Sequence, residues 1–391
     1  MRKNMTIAKV IGAGISGVTT AYYLAKAGFT VKVYDKRAYP GMATSYANGG
    51  QLSASNAETW NSWNNVAKGA KWLFKKDAPL KINPAIDFAK YRWFYKFLSE
   101  IPNKESNTIK TCEWALQAHN LYTEIADDLG IEFDRVNEGI LHVYTDPKEL
   151  EHARKINKLY VSAGMVRREV TSDEIKALEP NLNNPRIIGG FYNDQDFTGD
   201  IHKFCVNAMN ALQKKYDVEF LAQEVQDISG ELILHDGPVV ICAGVNTTQI
   251  ADIIGDRHLP PIYPVKGYSI TINNPGVAPW KSMLDDTAKI VTARLGEDRL
   301  RIAGTAEFNG YNRDIIQERV RPLKRWAEDM FPGICMENVI PWAGLRPMTP
   351  SMMPIVQRSR KCNNVYYNSG HGHLGWTLSA YTAKQIVSIV E

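Results

Sequence analysis

Ala8-Lys-Val-Ile11 runs straight into Gly12-Ala-Gly14-Ile-Ser-Gly17, a helix-like stretch follows, and Val31-Lys-Val-Tyr ends on Asp35. Strand, glycine turn, helix and acid-tipped strand in that order are the sequence form of a unit that holds a dinucleotide. Gly12 permits the tight turn, Gly14 lets backbone approach a pyrophosphate, and Gly17 allows the helix to pack closely on the strand. The helix start adds unpaired N–H groups and the positive end of a dipole. Asp35 stands 21 residues after Gly14, where a carboxylate accepts hydrogen bonds from an adenosine ribose and disfavours a phosphorylated one. Ile15, Val18, Tyr22 and Leu24 recur near helical spacing, and Gly28 is placed to end the helix. The alternative is a glycine turn that merely packs a helix onto a sheet.

At 391 residues the chain exceeds what one core usually serves, so two domains are expected, and 44% apolar residues can fill both. A net charge of +4, from 46 basic and 42 acidic side chains, argues against a general nucleic-acid binder. Five scattered cysteines without CxxC spacing suggest neither a disulfide framework nor a metal site, and fit a reducing, cytoplasmic compartment. The start of the chain lacks the apolar core of a signal peptide, and no apolar run of 18 residues predicts a transmembrane helix.

Tyr39-Pro-Gly-Met-Ala-Thr-Ser-Tyr-Ala-Asn-Gly-Gly-Gln-Leu-Ser53 is too polar for a core and reads as a ligand-facing loop. Helical and polar segments are expected over 85–182, then a helix over 201–215 after Phe197-Thr-Gly-Asp200. A strand with a turn is expected over 218–228, and Val239-Val-Ile-Cys-Ala-Gly244 reads as a buried strand of a parallel sheet. Alternation in Tyr268-Ser-Ile-Thr-Ile272 and Leu300-Arg-Ile-Ala303 predicts an antiparallel sheet with one face buried, a platform for a substrate. Gly370, Gly372 and Gly375 spell GxGxxG again, but only 16 residues follow, too few for a second ribose-binding strand. One dinucleotide touched by both ends of the chain explains both motifs.

These segments together resemble the flavoprotein family of D-amino-acid oxidases and glycine or sarcosine oxidases, and within it the bacterial D-amino-acid dehydrogenases of small-subunit type. The likeness runs over nearly the whole chain: VIGAGISG with Asp35, ATSYANGGQLS at 43–53, TGD at 198–200, YPVKGYS at 263–269, GLRPMTP at 344–350 and SGHGHLGWT at 369–377. It implies an α/β fold: a Rossmann-like FAD-binding domain with a parallel sheet (1–60, 197–262 and 338–391) and an α+β substrate domain with a mainly antiparallel sheet (61–196 and 263–337). It also implies oxidative deamination of an amino acid, with FAD as cofactor and no metal.

By resemblance Arg346 grips the substrate carboxylate, for which a planar guanidinium has the right chemistry; a salt bridge between elements is the alternative. His373 falls where relatives carry a second basic group beside the flavin, or is a loop histidine satisfied by backbone. Tyr263 and Tyr268 flank the corner where an aromatic approaches substrate, and only one of them can face the site; core packing is the other reading. For the cofactor the resemblance implies Gly12, Gly14, Ile15 and Ser16 at the pyrophosphate, Asp35 and Lys36 at the ribose, and Val225 at adenine. It places Ser45, Asn48, Gly49, Gly50, Gln51 and Leu52 along the ribityl and flavin. Ala243, Gly244 and Gly344 join them, with Gly370, His371, Gly372, His373, Leu374, Gly375, Trp376 and Thr377 on the isoalloxazine side. The chain departs from the family pattern at Ser351-Met-Met-Pro-Ile-Val-Gln357, where a carboxylate is usual.

From Trp60 to Leu98, seven lysines and one arginine face only Asp77 and Asp87, a local excess of +6, among Trp60, Trp63, Trp72, Phe74, Tyr91, Trp93, Phe94, Tyr95 and Phe97. Such a segment suits either an anionic membrane surface, and with it a quinone or other electron-transfer partner, or a solvated basic face over an aromatic core. A peripheral seat on the inner face of the membrane is therefore a second expectation for localisation. Rival readings are a flavin oxidase or dehydrogenase of glycine, proline or N-methyl amino acids, and a noncatalytic flavin-binding subunit.

Overall fold

The computed structural model describes residues 6–72, 78–182, 184–225, 230 and 235–391. Phe74 and Asp77 of the basic aromatic segment, and residues 226–228 of the turn expected after Val218, lie outside the described residues.

The glycine motif folds as its spacing predicts. Strand Ile7–Ile11 leads into helix Ile15–Lys26, and Thr30–Asp35 returns parallel to the first strand. Gly28, at φ +93°, follows the helix in the left-handed conformation that glycine tolerates best. Val239–Ile241 lies parallel on the other side of the first strand, and Val365–Ser369 lies parallel beyond it. With Val218–Ala222 at one edge and the antiparallel Ile355–Arg358 at the other, six strands form the first sheet. The head and tail of the chain are thus two strands apart. Helix Gly375–Val390 packs against Ile15–Lys26, burying Ala380, Ile386 and Val387 with Val18 and Tyr22.

The second sheet has nine strands, and its central part runs Val339–Met348, Tyr263–Asn273, Arg299–Phe308, Ile290–Leu295, all antiparallel. Three expectations need correction. This sheet is covered on both faces, because helix Gln317–Met330 packs on one while the small-residue loop lies on the other. That loop needs its glycines: a Cβ on Gly49 would come within 2.7 Å of Val291, and one on Gly50 within 2.6 Å of Ala293. The stretch 85–182, expected to be helical and polar, also contains the buried strand Ile140–Tyr144, which pairs parallel with Ser282–Asp285. Two domain boundaries also move. Val339–Met348, assigned by sequence to the cofactor side, pairs over its whole length with Tyr263–Asn273 in the second sheet. Helix Lys104–Leu129, assigned to the substrate side, buries Leu121, Tyr122 and Ile125 in the core of the first.

Helix Phe88–Ser99, capped by Asp87, divides its aromatic residues. Trp93 is buried with Phe97 stacked on it, whereas Ile86, Phe88 and Tyr95 are 81%, 86% and 75% exposed. The segment thus has an aromatic core beneath and exposed apolar side chains above. Among the described residues no helix is long and apolar enough to cross a membrane, and the cysteines are free.

Candidate active site

A single cavity of about 910 Å³ runs between the two sheets, from Asp35, Lys36 and Val225 at one end to Arg346 and His373 at the other. Its size is at the upper end for small-molecule sites. The three motif glycines take distinct roles at its first end. A Cβ on Gly12 would lie 2.5 Å from the Cys242 carbonyl oxygen, and one on Gly17 only 1.7 Å from that of Gly12, so turn and helix packing exclude any side chain. At Gly14 a Cβ would meet only Ser45 Oγ at 3.5 Å. Its bare surface therefore faces the cavity rather than protein. The helix that begins there has no side-chain cap, though Ser45 Oγ accepts from the Ile15 amide at 3.1 Å. Asp35 Oδ2 accepts from Ala13 N at 2.9 Å and its Oδ1 from Arg37 N at 2.9 Å, which anchors the carboxylate at the end of its strand.

The ligand-facing loop is held from both sides. Thr44 donates to the Leu345 carbonyl at 2.6 Å, and Ala47 and Asn48 carbonyls accept from Ser269 and Arg301. Gln51 lines the cavity and donates to Ser282 Oγ at 2.8 Å. Its neighbour Leu52 is fully buried in the core of the first sheet instead, since successive strand residues point to opposite faces.

The tail of the chain closes the cavity. Its wall includes Gly372, His373, Leu374, Gly375, Trp376 and Thr377, together with Gly344, Ala243 and Gly244. His371 joins the two ends of the chain: Ser16 Oγ lies 3.3 Å from its Nδ1 and Thr382 Oγ1 2.8 Å from its Nε2. Burial holds His371 neutral, with its pKa near 3. Gly370 is not among the lining residues; at φ +75° it forms the turn, and a Cβ there would meet Thr349 at 2.7 Å.

Arg346 sits on the strand Val339–Met348 opposite Val265 of the neighbouring strand. Its guanidinium crosses that neighbour at Gly267, where a Cβ would lie 2.3 Å from Cζ, Nη1 and Nη2. Nη1 then donates to the Thr305 carbonyl at 2.9 Å, one strand further on. Among the described residues no carboxylate lies within ion-pair distance of Arg346, and burial pulls its pKa down to about 10. The salt-bridge alternative for this arginine is therefore absent. A guanidinium held by one backbone carbonyl, on a cavity wall, keeps its remaining donors for an anionic ligand.

His373 lines the same end, its ring stacked on Trp60 with centroids 4.8 Å apart. Burial first, and the Arg346 charge second, lower its pKa to about 4. Near neutral pH it is an uncharged imidazole. Of the two tyrosines, Tyr268 lines the cavity and donates to Glu307 at 2.9 Å. Tyr263 does not; its hydroxyl turns to Asp87 at 2.9 Å and accepts from Gly310 N. The strand that carries them pairs without interruption along Val339–Met348, so two residues five apart point to opposite faces.

One wall went unread in the sequence. Asp286 accepts from Tyr144 Oη at 2.6 Å, with His142 Nδ1 at 3.4 Å and Lys289 Nζ at 3.3 Å. Burial alone would raise this carboxyl, yet the Lys289 cation and the His142 and Tyr144 donors keep it well below its usual range. The group spans two distant chain segments, so no local spacing announces it. The segment 351–357, which departs from the family pattern and runs into the edge strand Ile355–Arg358, stays outside the cavity lining, with Met352 packed into the cluster around Trp93.

A dinucleotide cradle and a ligand-ready arginine in one cavity are features of a nucleotide-cofactor oxidoreductase. The model of the FAD dependent oxidoreductase (DAO) family matches residues 9–389, and the chain belongs to that family. It is 50% identical over 399 residues to D-amino acid dehydrogenase 3 of Mesorhizobium japonicum, covering 97% of this chain and 96% of that one. It is 38% identical over 402 residues to the D-amino acid dehydrogenase of Paramagnetospirillum magneticum, covering 97% and 94%. Among solved structures the fold matches glycine oxidase from Geobacillus kaustophilus, with TM-score 0.73 and 19% identity over 98% of this chain and 94% of that one. L-proline dehydrogenase from P. horikoshii matches with TM-score 0.74 and 17% identity over 99% and 93%.

The residues present fit FAD: a bare glycine surface and an uncapped helix start lie at one end of an elongated cavity, and small residues from the tail of the chain lie along it. The protein is an FAD-dependent oxidoreductase with a parallel and an antiparallel sheet, as its sequence led us to expect.

Proposed function

We propose that the protein deaminates D-amino acids oxidatively, giving 2-oxo acids and ammonia, and passes the electrons to a quinone-type acceptor. Arg346, charged and without a carboxylate partner among the described residues, is the observation that carries this reading. Relatives named D-amino acid dehydrogenase at 50% and 38% identity support the substrate class.

In this reading Gly12, Gly14, Ile15 and Ser16 hold the cofactor pyrophosphate, Asp35, Lys36 and Val225 the adenosine, and the 45–51 loop with 371–377 the ribityl and flavin. Leu52 and Gly370 support these segments from behind. The first sheet with helices Ile15–Lys26, Lys104–Leu129 and Gly375–Val390 forms the cofactor side, and the second sheet, including Val339–Met348, forms the substrate side. Bound FAD supplies the hydride acceptor.

The chain supplies placement. Arg346 pairs with the substrate carboxylate and so fixes the carbon that bears the amine. His373, neutral and stacked on Trp60, adds no competing charge and presents a face of fixed orientation. Tyr268, its ring packed in the core of the second sheet and its hydroxyl on Glu307, supports the strand beside the arginine from behind. The carbon that bears the amine gives up a hydride and the amine a proton, which leaves an imine that water hydrolyses to the 2-oxo acid and ammonia. The 351–357 segment, outside the cavity, gives no support to a noncatalytic subunit.

Anaerobic mixing with both enantiomers of a panel of amino acids, glycine, proline and sarcosine tests the proposal. The expected result is loss of flavin absorbance with D-amino acids, then faster reoxidation by a quinone analogue than by air. Bleaching by glycine or sarcosine alone, or bleaching by L-amino acids, would overturn the substrate class.

A further inference from the structure

Thr305 is strained where strain is costly. It lies in the strand Arg299–Phe308 at φ +60°, a left-handed conformation that a β-branched residue rarely adopts. The cause is the bulge: Lys266 pairs with Glu307 and Tyr268 with Gly304, so Thr305 and Ala306 together oppose the single residue Gly267. This turn of the backbone aims the Thr305 carbonyl at Arg346 Nη1, 2.9 Å away. Gly would hold the same backbone without strain. A side chain kept at such a position points to a use for it.

Its hydroxyl supplies the second observation. Thr305 lines the cavity, is 7% exposed, and its Oγ1 has no hydrogen-bond partner among the described residues. A buried hydroxyl left without a partner is unfavourable, and natural structures rarely keep one without a reason. Covalent geometry keeps Oγ1 within a few ångströms of the carbonyl that Arg346 already touches. Rotation about the Cα–Cβ bond that turns Oγ1 from its buried position toward the cavity would bring its O–H within reach of a carboxylate on that guanidinium.

We propose that Thr305 is a substrate-binding residue: it orients Arg346 through its carbonyl and donates its hydroxyl to the carboxylate that Arg346 holds. The inference rests on the carboxylate-binding role given to Arg346 above. It assigns the bulge a purpose, to bring two donors from different strands onto one anion.

Thr305→Val, Thr305→Ser and Thr305→Ala in the FAD-loaded protein test it. Benzoate, a carboxylate without an amine, is titrated against the flavin spectrum, and kcat/KM is measured on D-alanine. Loss of a hydrogen bond to a charged group predicts benzoate binding and kcat/KM each weaker by about 10- to 100-fold in T305V and T305A. T305S, which keeps the hydroxyl, stays within about 3-fold, and T305V should raise KM more than it lowers kcat. FAD content and thermal midpoint serve as the fold control, and T305A decides if T305V fails to hold FAD. Unchanged benzoate affinity without the hydroxyl, or equal loss in T305S, would overturn the proposal. If D-alanine leaves the wild-type flavin oxidised, the activity reading fails while the benzoate titration still decides Thr305.

Discussion

At the scale of single residues, the site depends on what is missing as much as on what is present. Arg346 reaches across a neighbouring strand only because residue 267 has no side chain, and it stays available because the wall around it offers no carboxylate. Burial in that wall lowers its pKa to about 10, so its charge begins to fail at a pH where an ordinary arginine is fully protonated. A cation with a depressed pKa keeps its ligand affinity below that pH and loses it above. The dissociation constant of benzoate should therefore be flat from pH 7 to 9 and rise about tenfold per pH unit above 10. Flavin-monitored titration across that range checks it; affinity unchanged to pH 11 would mean that another group binds the carboxylate.

Among the elements, helix Phe88–Ser99 has the most unusual surface. Its Trp93 face packs into the protein, and Trp93, Phe94 and Phe97 line the far side of the cavity. Its outer face shows Phe88 and Tyr95 beside exposed Ile86, in the segment that carries the local positive excess. Exposed apolar side chains on a helix that also exposes Arg92 suit an anionic bilayer, where each basic residue adds about 1 kcal/mol. In the FAD-loaded protein the double substitution Phe88→Ser, Tyr95→Ser should abolish sedimentation with vesicles containing phosphatidylserine. Because both side chains are exposed, the thermal midpoint and turnover with a soluble acceptor should hardly change. Equal sedimentation of wild type and variant would leave this helix a solvated face only.

Across the whole molecule, the sequence was informative where chemistry is local. The glycine turn, its helix and Asp35 could be placed to within a residue or so, because turn, packing and ribose contact impose spacing on contiguous chain. The apolar run at 239–241 read as a parallel strand because both of its faces are covered. Legibility failed where position depends on distant partners. Ile140–Tyr144 was missed because its burial comes from strands near 190 and 283, and with it went the wall formed by His142, Tyr144 and Asp286. Tyr263 and Leu52 point away from the cavity for reasons of register that only pairing reveals. The bulge at Thr305, which sets the geometry around Arg346, left no mark in composition or periodicity.

The central claim is that one FAD lies between the head and tail of the chain, with Arg346 fixing a substrate acid beside its reactive ring. A crystal structure of the FAD-loaded protein with benzoate tests it most directly. We expect adenine near Asp35 and Val225, the isoalloxazine against residues 371–377, and the benzoate carboxylate about 2.7–2.9 Å from the Arg346 guanidinium. Benzoate bound elsewhere, or Arg346 turned from the flavin toward a protein carboxylate, would contradict it.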